Sequence, residues 1–367
     1  MAVKTKTPKT TAAVTNGILP VPETVIKHHG ESLFPLMREW LATRKIPPVL
    51  LFTGATGVGK RHIAYLIAQW ILCERSGWKS PSSLETPLPC GECSQCVRAL
   101  KGSWVDFTEI LPDTDGETTS SSLKVDQFRD LKASQGFGAH EGSYRIILIP
   151  NADRMTAQAA NSMLKLLEEP PTGWIFFLTA NDPTLILPTV LSRCQNLRLK
   201  PFTKDQLKTL LALSGAKSDR LDICAELSCG SWGKALVLAG DEQWEQRRRV
   251  LDFISEPSSC VNELIEWAAL EPRNYDLLVD QLEQLTLELL RWSIEGDKYQ
   301  WINSDGKLAL SSHALKAVSE RGSTASARAF WMDRAERLAK SRSESRAPLN
   351  RKLLVQDLLL PWLDLKA

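Results

Sequence analysis

Hydrophobic positions along this chain change their rhythm near residue 200. Before it, short unbroken apolar runs alternate with stretches at helical spacing; beyond it the helical spacing alone continues. Val49-Leu50-Leu51-Phe52, Ile146-Ile147-Leu148-Ile149 and Trp174 to Leu178 are runs of the kind that form strands of a parallel sheet buried on both faces. Between the second and third, Ala157, Ala160, Met163, Leu164 and Leu167 recur at helical spacing until Pro170-Pro171 stops the helix. Strand, crossover helix and strand form a βαβ unit, which places polar ligands at its strand C-termini. The pattern also predicts helices over Lys27–Thr43, Arg61–Cys73 and Leu123–Leu131. The last lies between a polar loop over 111–122 and a Gly136-Phe137-Gly138 turn.

Past Pro201 a capping box, Thr203-Lys204-Asp205-Gln206, opens a helix through Leu213. Asp219–Leu227 and Ser231–Ala239 read as two more helices. From Trp244 onward everything reads as helix. Tyr275, Leu278, Leu282, Leu285, Leu289 and Trp292 trace one apolar stripe, and Leu353, Leu354, Leu358 and Leu359 another. Such stripes are the core faces of a helical bundle. Arg247-Arg248-Arg249 reads as a solvated helix face.

The first apolar run leads straight into Gly54-Ala55-Thr56-Gly57-Val58-Gly59-Lys60 and a helix. Strand, glycine-rich loop, lysine and helix make a P-loop: Gly54, Gly57 and Gly59 let backbone N–H groups approach phosphates, and Lys60 reaches the terminal ones. The next residue should be a Ser or Thr whose hydroxyl ligates magnesium. Here it is Arg61, which has only donors and a fixed positive charge. Two readings stay open: a loop that still touches ATP or ADP without hydrolysing it, and a loop kept only as a tight strand–helix turn.

Cys90-Gly91-Glu92-Cys93-Ser94-Gln95-Cys96 places three cysteines at two-residue spacings, and Cys73 supplies a fourth thiolate for tetrahedral zinc. A closed site of four thiolates is structural. Reduced cysteines packed as small apolar groups, or an iron–sulfur cluster, are the alternatives. Eight cysteines in so long a chain, three of them clustered, suit a reducing compartment.

The formal net charge is only +2, which argues against a stand-alone nucleic-acid binder, zinc-dependent or otherwise. No apolar run reaches the ~18 residues of a membrane helix. Residues 1–25 read as a disordered tail without the apolar centre of a secretory signal. A cytoplasmic protein is expected.

The words AANSMLKLLEEPP, LTANDP and LPTVLSRC, in that order, resemble the AAA+ clamp-loader family of bacterial DNA polymerase III over most of residues 45–240. The resemblance implies an AAA+ domain over 26–200 carrying a zinc module at 73–96. A small helical lid over 201–243 and a collar for oligomerisation over 244–367 follow. It aligns Pro150 and Asn151 with the acidic pair of an active ATPase. Asp153 is read instead as a carboxylate at a helix N-terminus, and Glu168 and Glu169 as packing and interface residues. Asn181 matches the polar sensor of a γ-phosphate, and Gly233, beside Lys234, stands where a second sensor arginine belongs.

Arg193, in Ser192-Arg193-Cys194, matches an arginine finger that acts in a neighbouring subunit's ATP site; by itself it reads as a surface charge. A subunit with these erosions is expected to be a non-hydrolysing stator. Its partners would be the ATPase subunits and the clamp-opening subunit in a hetero-pentameric ring, with sliding clamp and primed DNA reached through the assembly, and no membrane. The alternative is an active motor subunit, which Gly54 to Lys60 favours and Arg61, Pro150 and Asn151 oppose.

Overall fold

The computed structural model describes residues 21–76, 88–111, 123, 127–128, 131, 139–344 and 350–363. Most of the expected tail, residues 77–87 of the polar stretch between Cys73 and Cys90, residues 112–122 of the predicted loop, most of the Leu123–Leu131 helix and the Gly136–Gly138 turn lie outside the described residues. The chain divides into two compact units, one of residues 1–210 with Gly230–Gly233, the other of Leu211–Cys229 with Lys234–Ala367. Among the described residues no helix is long and apolar enough to cross a membrane.

The first unit is an AAA+-type P-loop α/β domain built on five parallel strands. These are β1 (Val49–Thr53), β2 (Phe107–Glu109), β3 (Arg145–Ile149), β4 (Trp174–Ala180) and β5 (Gln195–Arg198), in the order β2-β3-β4-β1-β5. The three apolar runs are the three inner strands, and every residue of β1 and β4 is buried. Both edge strands escaped the pattern, because β2 has three half-buried residues and β5 only one buried residue, Leu197. Strands with solvent on one side need no unbroken apolar run.

Register decides where the loops emerge. Thr53 lies opposite Ala180, and Ile149 opposite Leu178, so β1, β4 and β3 end close together. Gly54, Asn181 and Pro150 therefore leave the sheet at one edge.

Four helices matter for the site: α1 (Glu23–Thr43), α2 (Lys60–Leu72), α3 (Ser94–Leu100) and α4 (Ala157–Glu168). Helix α1 begins four residues before the predicted start, right after Pro22. Thr156 caps α4, its hydroxyl accepting from the Ala159 N–H at 3.1 Å. Ala159, Ala160, Met163, Leu166 and Leu167 bury one face of α4 in the core under β3 and β4. The capping box at Thr203 forms as predicted, Gln206 Oε1 accepting from Thr203 N and Thr203 Oγ1 from Gln206 N.

The second unit is helical and holds its own core. Tyr275, Leu278, Leu282, Leu285 and Leu289 are fully buried there, as the stripe predicts. Two expectations need correction. Leu353 is 63% exposed, and Val355 fills the core position instead. Arg247 is no solvated charge: it is 4% exposed and forks onto Asp305 and Asn303, because this turn of its helix faces the bundle. Arg248 alone of the three is exposed. The helix predicted over Asp219–Leu227 begins as a 3-10 turn, Ser218–Arg220, and becomes α-helical at Leu221.

Candidate functional site

Gly54, Gly57 and Gly59 all have left-handed φ, at 146°, 78° and 91°. At Gly57 a Cβ would sit 2.1 Å from Ser231 Oγ, and at Gly54 it would sit 2.6 Å from the Leu199 carbonyl. Only glycine combines that backbone with that crowding. Gly233 donates its N–H to the Gly57 carbonyl at 3.0 Å, so the segment Gly230–Gly233 lies directly on the loop. A Cβ at Gly233 would approach Gly57 Cα to 3.2 Å.

Lys60 is 7% exposed. Its ammonium donates to Gly54 O (2.7 Å), Ala55 O (2.8 Å) and Asn181 Oδ1 (2.8 Å), which accounts for its three donors. Burial pushes Lys60 down to about 8, against the pull of the Asp153 carboxylate. The fold thus brings together the loop lysine and the sensor-position asparagine.

Arg61 turns away from the loop. Its guanidinium pairs with Glu109 on β2 and donates from Nε to the Tyr65 hydroxyl (3.0 Å), which itself donates to Glu109 Oε2 (2.6 Å). A cation, an acid and a phenol thus form a fixed network beside the loop. Nothing in the sequence singles out either partner: Glu109 ends a three-residue edge strand that gives no periodic signal, and Tyr65 is one of ten buried residues of α2.

Pro150 and Asn151 stand just past the end of β3, and Asn151 adopts the left-handed conformation with φ 54°, which asparagine tolerates in turns. Asp153 corrects its expectation. A 3-10 turn, Ala152–Arg154, intervenes before α4, and Thr156 takes the cap. The Asp153 carboxylate instead accepts from Asn181 N at 2.9 Å and Asp182 N at 3.3 Å, joining the ends of β3 and β4 beside Lys60.

Arg193 lies some distance along the chain from this cluster, following the short helix Pro188–Leu191. Its side chain is 32% exposed; Nη1 donates to the Thr189 carbonyl and to Ser192 Oγ, and Nη2 pairs with Glu168. Glu168 therefore binds an arginine of its own domain.

His29 on α1 touches the loop from the other side, its Nε2–H donating to the Val58 carbonyl at 2.9 Å. Burial pushes its pKa down to about 4, and the same cause lowers buried His313 in the second unit to about 4. Both folded values lie below the ordinary 6.5, so the neutral form favours folding. That contribution is complete above pH ~6.5 and is lost as pH falls toward ~4, up to about 3 kcal/mol for each. The unfolding midpoint should accordingly drop between pH 6.5 and 4.5, and His29→Gln, which keeps an N–H donor but cannot titrate, should flatten the drop. An unchanged pH slope in that variant would remove His29 from the account.

The four cysteines converge as the spacing predicts. Cys73 ends α2 and Cys93 precedes α3; their Sγ atoms and those of Cys90 and Cys96 all lie within 4.8 Å of one another. Cys73 to Cys93 is 3.9 Å and Cys90 to Cys96 is 4.0 Å. A tetrahedron with metal–sulfur bonds of about 2.3 Å has edges of about 3.8 Å, so the donor set fits a tetrahedral cation such as zinc. The Cys90 N–H points at Cys73 Sγ and the Cys93 N–H at Cys90 Sγ, each at 3.4 Å, and such donors suit thiolates. The cluster can hold a metal ion.

Strand order, the glycine loop and the lysine at its end define the class: an AAA+-type P-loop domain. A family model described as "DNA polymerase III, delta subunit" matches residues 30–203. DNA polymerase III subunit delta' of Pseudomonas aeruginosa is 30% identical over 86% of this chain and 91% of its own length. The Yersinia pestis delta' subunit is 28% identical over 85% and 88%. The tau subunit of Escherichia coli is 32% identical over 48% of this chain, which is 25% of that protein. This chain belongs to the delta' family of DNA polymerase III subunits.

Proposed function

We propose that this chain is the non-hydrolysing stator of a DNA polymerase III clamp loader and lends Arg193 to the ATP site of a neighbouring subunit. The observation that carries the reading is Arg61: where hydrolysis needs a hydroxyl on magnesium, the chain has a guanidinium committed to Glu109 and Tyr65. Lys60 points the same way, since a phosphate would have to displace Gly54, Ala55 or Asn181 from its ammonium. Pro150 and Asn151 offer no carboxylate at the end of β3 to hold a metal or to activate water. Gly233 offers no guanidinium where a second sensor belongs, and a Cβ there would meet Gly57 Cα at 3.2 Å, so the loop would have to give by a few tenths of an ångström to admit one.

Arg193 supports the reading from outside this cluster, because a half-exposed guanidinium is the right group to meet a phosphate across a boundary. On the same reading residues 201–243 serve as lid and 244–367 as collar. Cys73, Cys90, Cys93 and Cys96 hold a structural zinc. The ATPase and clamp-opening subunits complete a five-membered ring in the cytoplasm, which acts on sliding clamp and primed DNA. Any ATP or ADP held by Gly54, Gly57, Gly59, Lys60 and Asn181 stays unhydrolysed.

The relation to tau over 48% of the chain keeps a motor-subunit reading in view. Turnover separates the two. The isolated chain with magnesium and ATP should show no hydrolysis above background, and sustained turnover would retire the stator reading.

A further inference from the structure

The pair between Glu168 and Arg193 joins two words of the sequence, LEEPP and LSRC, that sit 25 residues apart. Glu168 is the last residue of α4, with Glu169 next to it. Two acids at the negative end of a helix dipole are out of place electrostatically, and the Arg193 guanidinium on Glu168 relieves part of that. Arg193 spends three of its five N–H groups locally, on Thr189 O, Ser192 Oγ and Glu168 Oε1, and two remain. The pair is half-exposed, with side-chain exposures of 32% for Arg193 and 45% for Glu168. Ion pairs of that kind hold weakly and are screened by salt.

We propose that Glu168 is a counter-ion latch for Arg193, an inference that rests on the arginine-finger reading above. In the chain alone the carboxylate holds the guanidinium against the end of α4. A triphosphate oxygen on the neighbouring subunit, more highly charged than a carboxylate, displaces Glu168 from Nη2, and like-charge repulsion drives the freed carboxylate away. Thr189 O and Ser192 Oγ keep their hold on Nη1 and so preserve the aim of the fork. The latch lowers the fraction of chains with a free finger, and apparent affinity falls by that fraction. Glu168 is therefore a positioning residue that acts through Arg193.

The test uses the loader reconstituted with its ATPase subunits and reads kcat/KM for ATP from single-turnover hydrolysis, in which the site served by Arg193 is not masked by the others. Glu168→Gln, which keeps the shape and removes the charge, should raise kcat/KM by up to about fivefold. The gain should shrink toward nothing as salt rises, because screening opens the latch of the unsubstituted chain too. Glu169→Gln should leave kcat/KM unchanged. A fall in kcat/KM with E168Q, no change, or an equal gain with E169Q overturns the latch. In an Arg193→Ala background E168Q should have no effect; a persisting effect overturns the latch while the finger stands. If R193A alone turns over at the unsubstituted rate, the finger reading itself has failed, and the latch with it.

Discussion

Replacing Arg193 by alanine should leave this chain folded and slow hydrolysis at the neighbouring ATP site of the reconstituted loader by about 10³-fold or more. The fold should tolerate the change because Arg193 contributes only a half-exposed ion pair and two bonds to its own turn. Such a pair is worth about 0–1 kcal/mol, so thermal unfolding should move by a few degrees at most. The rate should not tolerate it, because a guanidinium at a transferring phosphoryl group neutralises charge that develops only in the transition state. Single-turnover hydrolysis is the measurement, since ATP sites served by other subunits would mask the loss in a steady-state rate. Arg193→Lys keeps the charge but not the planar fork and should recover only part of the rate. Unchanged turnover in both variants would show that Arg193 is a surface charge tied to Glu168 and nothing more.

The contrast between Arg193 and the chain's own P-loop also shows what a linear sequence reveals. Inner strands are legible because burial on both faces demands an unbroken apolar run, and β1, β3 and β4 supply one. The P-loop is legible because its backbone excludes every residue but glycine at Gly54 and Gly57. The cysteine cluster is legible because the two-residue spacings of Cys90, Cys93 and Cys96 are those that let three thiolates meet one cation.

Partnerships are another matter. Lys60 meets Asn181 across 121 residues and Arg61 meets Glu109 across 48, and only the parallel register that ends the strands together brings them within reach. Asp153 misled for a related reason. Its position before a helix suggests a cap, but a 3-10 turn rotates it back toward the backbone of Asn181 and Asp182. Arg247 misled because three adjacent residues spread over about 200° of a helix surface, and composition does not tell whether one of them turns inward.

Metal content gives the second large effect. Protein purified without chelators should carry about one zinc per chain, and Cys93→Ser should lose it, because the four sulfurs leave no vacancy for a substitute ligand. Structural zinc in small peptides contributes about 10–16 kcal/mol of folding energy, but here the loss should stay local. Cys73 ends α2, whose Ile63, Ile67 and Ile71 are already buried in the domain, whereas Cys90 and Cys93 lead into α3, only seven residues long, and Cys96 lies in its first turn. A helix that short is not stable by itself. Without the cation, α3 keeps its packing and its polar ties, among them Gln95 Nε2 to Glu141 Oε2 at 2.9 Å, Arg98 to the same carboxylate, and the Trp104 indole N–H to the Gln95 carbonyl at 2.9 Å. Those ties matter beyond the module. Asp106 gathers the N–H groups of His140, Glu141 and Gly142 at 2.6, 2.9 and 2.9 Å, and that turn feeds β3. Hydrogen exchange should thus quicken over residues 93–101 in C93S, and to a smaller degree over 139–142, while β1 and β4 stay protected. Protein that contains no metal, or that loses it with no change in exchange at α3, would remove the cation from the account of this fold.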